Sequence, residues 1–201
     1  MDPIKTETSI NFIERELIKR QDLNILWTRP TDSVSFIKYM SSERDLSKFA
    51  KTISDRAEKT DNFPLYVFLN VQYDIKDGKH SELIIITKYH EKYSVGFFDS
   101  NGPLSENLRP DKNIHKILNH VATNLNTEYF EYMEGKTGIN IIGKGNCDAF
   151  CLWLVYLNRE SSNKTEVCDI FNEFYQEVKK GNIKDYILKM NKEIDKMSKK
   201  R

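Results

Sequence analysis

Gly143-Lys144-Gly145-Asn146-Cys147-Asp148-Ala149-Phe150-Cys151-Leu152-Trp153-Leu154 decides the reading of this chain. Two glycines and an asparagine run into a cysteine, and an apolar segment follows at once. With Val155-Tyr156-Leu157 the run is apolar around a whole helical circumference, which predicts a buried central helix over 147–158. Asn146 is a good N-cap, and the glycines permit positive φ and close backbone approach in the loop before it. A thiol in the first turn of such a helix meets unpaired N–H groups and about half a positive charge, which favours the thiolate. Free cysteines are also common as small buried hydrophobes, so position alone leaves both readings of Cys147 open.

Working outward, two upstream segments bear on the choice. Lys79-His80-Ser81-Glu82-Leu83-Ile84-Ile85-Ile86 reads as a strand beginning just after the turn signal Asp77-Gly78. Tyr93-Ser94-Val95-Gly96-Phe97-Phe98 reads as a second strand that ends at Asp99, where Ser100-Asn101-Gly102-Pro103 breaks it. If the two pair antiparallel through a turn at 89–92, His80 and Asp99 meet at their outer ends. The carboxylate can then hold the imidazole by its Nδ1–H and stabilise the imidazolium. His90, in the turn at the far end of this hairpin, and His115 and His120, on a surface helix, read as solvated histidines. Cys151 and Cys168 read as core and amphipathic-helix residues. Cys-x3-Cys without suitably spaced partners is a poor zinc signal, and no metal or cofactor is expected.

The remaining pattern gives an α+β fold: a central, mostly antiparallel sheet packed against the buried helix that carries Cys147 at its N-terminus. A strand over 65–71 precedes the hairpin, and short extended segments fall near 128–133 and 138–142. Helices are expected over 9–20, 42–58, 112–125, 164–178 and 182–198. With 201 residues and no internal repeat or linker, the chain is read as one catalytic domain, with a core of about 63–160 and helical extensions over 1–62 and 161–201.

Composition narrows the function classes. The chain has 31 basic against 30 acidic residues and a net charge of +1, which gives no reason to expect a nucleic-acid partner or an anionic membrane. The lysines near the C-terminus, from Lys192 to Lys200, fit a solvated helix end. No apolar run nears the ~20 residues that span a bilayer, and the first residues lack a signal-peptide core. Three cysteines do not suggest a disulfide framework, so an intracellular, cytoplasmic protein with free thiols is expected.

Together, the His80 strand, the acid at Phe98-Asp99-Ser100-Asn101-Gly102 and the Gly145-Asn146-Cys147 helix start resemble cysteine peptidases of the adenovirus-protease and SUMO-protease clan. The ubiquitin-like-protease type of large DNA viruses is the form in view. The likeness covers about 65–158 and implies the papain-like cysteine peptidase superfold, with Cys147 as nucleophile, His80 as general base and Asp99 as its orienting acid. It implies a protein substrate, such as a ubiquitin-like conjugate or a viral precursor, and a location in host cytoplasm or virion. The clan usually supplies a glutamine to the oxyanion hole roughly six residues before the cysteine. This chain has Asn140-Ile141-Ile142-Gly143 there, which makes Asn140 the candidate donor, one residue off. Ser81 stands where a tryptophan often follows the histidine. The spacing 99 − 80 = 19 also resembles effector acetyltransferases of the YopJ type, which carry an acetyl group from acetyl-CoA on the same three residues. A non-catalytic module on the same fold is the third reading.

Overall fold

The computed structural model describes residues 24–27, 36–38, 42–72, 79–102, 109–133, 147–160 and 166–180. In chain order the elements are β1 (Asn24–Trp27), β2 (Phe36–Lys38), α1 (Glu43–Glu58), β3 (Leu65–Gln72), β4 (Lys79–Tyr89), β5 (Lys92–Phe98), α2 (Arg109–Asn124), β6 (Tyr129–Glu131), α3 (Cys147–Glu160) and α4 (Val167–Lys179). The fold is α+β. The expected strands at 65–71, 80–87 and 93–98, the helices at 42–58, 112–125 and 164–178, and the cysteine helix all form within a few residues of their expected limits. The helices expected at 9–20 and 182–198, the extended segment at 138–142 and the turn at Asp77-Gly78 lie outside the described residues.

The sheet is mixed. β3, β4 and β5 form its antiparallel middle, with Val67 opposite Ile84 and Leu83 opposite Phe98. Parallel strands join at both sides: β1 and β2 run in succession along β3, and β6 runs along β5. These additions depart from a mostly antiparallel sheet. At three or four residues each, β1, β2 and β6 are too short to show a period-2 pattern. β1, β2 and α1 also carry the packed structure N-terminal to residue 63.

Alternation along the strands divides the interior into two layers. Leu65, Val67, Leu69, Val71, Ile84, Ile86, Val95 and Phe97 face α1 and α2, meeting Phe49, Ile53, Ile117 and Val121. Tyr66, Phe68, Leu83, Ile85 and Phe98 face α3 and α4. The strands are apolar on both faces because both are covered. Six consecutive residues of α3, Phe150 to Val155, are each at most 4% exposed, as an all-round apolar helix requires.

Two local devices fix the geometry around the hairpin. His90 and Glu91 both take positive φ, 45° and 64°, so a two-residue turn joins β4 to β5 with the twist such hairpins favour. Gly96 lets α4 approach β5 closely, since a Cβ there would lie 2.0 Å from Val167 Cγ1 and 3.0 Å from Phe171 Cζ.

Candidate active site

His80 sits at the second residue of β4, opposite Val71 of β3. β5 stops at Phe98, opposite Leu83, so beyond it the edge of β4 near His80 is open to the turn that follows. That turn begins with Asp99, whose carbonyl accepts from Gly102 N–H at 3.1 Å. Gly102 has φ 106°, the left-handed conformation that closes such a turn at little steric cost when the residue is glycine. Asp99 Oδ1 accepts from the backbone N–H of Asn101 at 2.8 Å, which fixes the carboxylate from its own turn. The same oxygen accepts from His80 Nε2–H at 2.6 Å, and the Asn101 carboxamide stands 3.0 Å from that nitrogen. The hairpin therefore brings His80 and Asp99 together as its antiparallel pairing requires.

The contact uses Nε2, whereas the sequence reading placed the carboxylate on Nδ1. Asp99 approaches from the turn beyond the ring's far edge, and Nδ1 is left as the nitrogen that can serve a thiol. Cys147, half-buried at the first residue of α3, lies close enough to the His80 ring for its thiol to help raise the ring's proton affinity. One turn further, Cys151 is fully buried, and its Sγ–H donates to the carbonyl of Ser81 at 3.5 Å. That contact seats the head of α3 against the start of β4, next to His80.

The ring is an ion-pair centre. Its side chain is 13% exposed, and that burial opposes protonation. Hydrogen bonds to Asp99 and Cys147, with the charges of Asp99 and Glu82, more than offset the penalty and hold His80 well above its ordinary 6.5. Glu82 was not singled out from the sequence. It shares a strand face with His80, is fully buried, and places Oε1 4.0 Å from His80 Nε2. The signal available was a glutamate two residues from the histidine inside an otherwise apolar strand.

Donor atoms of His80, Glu82 and Asp99 all lie within 4.8 Å of one another. The 2.6 Å separation of Nε2 and Oδ1 is a hydrogen bond, shorter than the roughly 3.3 Å that two ligands about 2.0 Å from one tetrahedral zinc ion would show. With that hydrogen bond in place, the three groups form an ion-pair cluster.

Asn140 and the glycine loop before Cys147 lie outside the described residues. His90 is exposed in the β4–β5 turn, and His120 is 44% exposed beside Glu43 at 3.6 Å. His115 departs from a solvated histidine: its side chain is 25% exposed, and Nδ1 hydrogen-bonds with the Tyr129 hydroxyl at 2.8 Å. Cys168 is exposed on α4. No described helix is long and apolar enough to cross a membrane.

No protein-family model and no curated protein matches the chain. Among solved structures, three of the Legionella pneumophila effector protein RavZ are similar to it. One has a TM-score of 0.43 at 16% identity over 73% of this chain and 49% of that one. Two others have TM-scores of 0.41 at 17% identity, covering 72% and 74% of this chain and 44% and 45% of theirs. The chain thus spans less than half the length of the RavZ chains it matches.

Proposed function

We propose that the protein is a cysteine peptidase or isopeptidase in which Cys147 is the nucleophile, His80 the general acid–base and Asp99 the residue that orients and charges the ring. The observation that supports this reading most directly is the short contact of Asp99 with His80 Nε2, at 2.6 Å, beside a half-buried Cys147 whose thiol adds to the pull that raises the ring's proton affinity. Supporting it are the position of that thiol at the head of a buried helix and the order of the three residues along the chain.

In this mechanism the proton of the thiol resides on His80, and the thiolate attacks the carbonyl carbon of the scissile bond. The carbonyl π pair moves to oxygen, and the tetrahedral oxyanion accepts from backbone N–H groups at the start of α3, with Asn140 as the candidate side-chain donor. As the oxyanion collapses, the C–N bond breaks and the imidazolium protonates the leaving amine, giving a thioester on Cys147. Water, deprotonated by His80, adds to the thioester carbonyl, and collapse of this second oxyanion breaks the C–S bond, which releases the acid product and restores the Cys147 thiolate beside the protonated ring. Asp99, held by the backbone N–H of Asn101, keeps the ring in one orientation.

The substrate in this reading is a protein, either a ubiquitin-like conjugate or a viral precursor, cleaved in host cytoplasm or virion. The chain acts as one catalytic domain whose chemistry is carried by about 63–160. This follows the likeness of the His80, Asp99 and Cys147 segments to the adenovirus-protease and SUMO-protease clan.

The test joins hydrolysis to thiol chemistry. A panel of ubiquitin-like fusions and isopeptide conjugates is incubated with the wild-type chain and with Cys147→Ala, and new termini are read by mass spectrometry. Cleavage that falls by about 10⁴-fold or more in Cys147→Ala is the expected outcome. Alkylation of Cys147 by iodoacetamide is followed against pH in parallel. A Cys147 that alkylates as an ordinary thiol with a midpoint near 8.5, with no cleavage of any substrate, sinks the reading in favour of an inactive module. Cys147-dependent release of CoA thiol from acetyl-CoA without cleavage makes the protein an acyltransferase instead.

A further inference from the structure

Glu82 has no step in the mechanism above, yet it stands beside the base. Its side chain is fully buried, and Oε1 lies 4.0 Å from His80 Nε2. Continuing the β4–β5 register by one pair beyond Leu83 and Phe98 places Glu82 directly across from Asp99. Two carboxylates, one from β4 and one from the turn just past the end of β5, therefore flank one ring. Each loses hydration on burial, and with their oxygens within 4.8 Å they repel each other. A cation between them offsets both costs, and the group held there is the imidazole of His80.

We propose that Glu82 is a positioning residue that works with Asp99 to keep His80 as the imidazolium, so that Cys147 faces a fixed cation before any substrate arrives. Groups that bear on the ring include Glu82 from its own strand, Asp99 and Asn101 from the turn after β5 and Cys147 from α3, with the apolar Val71 opposite His80 on β3. Of the two carboxylates, Asp99 accepts the ring's Nε2–H directly. Glu82 adds charge from a distance set by its own strand and by the register, and it moves only if β4 moves. The thiolate–imidazolium pair then forms without substrate, and the proton needed by the leaving amine is already on the ring.

This inference deepens the peptidase reading, but its test needs no substrate. The His80 ring is titrated by NMR in a Cys147→Ala chain, which removes the thiol's own titration, and its signal is assigned by its loss in His80→Gln. Glu82→Gln lowers the midpoint by about one pH unit or more, the size of an opposite charge within 4–6 Å. Glu91→Gln, on the exposed turn, leaves it in place. Should the amide not fold in that apolar site, Glu82→Met removes the charge at similar volume and is expected to give the same fall. An unchanged His80 midpoint in a folded Glu82 variant overturns the proposal. A fall in midpoint beside an ordinary, unreactive Cys147 in the wild-type chain upholds the action of Glu82 on His80 but overturns the preformed thiolate, and with it the peptidase. Cys147-dependent cleavage with an unmoved midpoint does the reverse.

Discussion

Asp99 serves two donors with one oxygen, the ring of His80 and the backbone of Asn101. Asp99→Asn keeps the size of the side chain and removes the charge that stabilises the imidazolium. The expected result is a loss of about 10²–10⁴-fold in cleavage rate with little change in melting temperature, checked by kinetics and calorimetry on the same preparation. An unchanged rate would show that the carboxylate is merely part of the turn. His80, Asp99 and Cys147 were legible in the sequence because each stands where an element begins or ends, and turn chemistry marks those boundaries. The ring nitrogen that Asp99 uses was not legible, since it depends on the direction from which the turn returns. Glu82 escaped notice because one glutamate inside an apolar strand reads as ordinary in–out alternation until the far face is known to be covered.

At the scale of elements, the β5–α4 contact is the most demanding. Gly96→Ala sets a methyl 2.0 Å from Val167 Cγ1, so α4 must retreat or Val167 must turn against Phe171. The expected cost is about 1–3 kcal/mol of stability, measured by denaturant titration, and Val167→Ala in the same chain recovers part of it. Loss in Gly96→Ala that Val167→Ala leaves untouched would place the cause elsewhere. The four described helices and the three central strands were readable from periodicity and breakers, because each runs for seven residues or more. Gly96 itself was not, since a glycine within a strand reports a close approach without saying what approaches. The hairpin turn was placed by its polar residues, although His90 and Glu91 are unusual occupants of positive-φ positions.

For the whole molecule, His80 links stability to pH. Its affinity for protons is raised on folding, so the folded state gains most where the unfolded histidine is also protonated, below 6.5. That gain is lost as pH rises through the folded value. The stability difference between wild type and His80→Gln should therefore be largest near pH 6 and shrink as pH rises, read from unfolding curves across that range; a difference that grows with pH contradicts the assignment. The α+β class was legible at this scale from the succession of strand and helix patterns. The parallel strands were not, because β1, β2 and β6 are recognisable only by the neighbours they pair with. Their partners are distant in sequence, and pairing of that kind leaves no local trace. Strand alternation puts His80 and Glu82 on the face that belongs to α1 and α2, while Cys147 rides on α3 across the sheet. The imidazole and the thiol thus come from opposite layers of the fold and meet only at the sheet's end, so the packing of both layers against the sheet sets their separation.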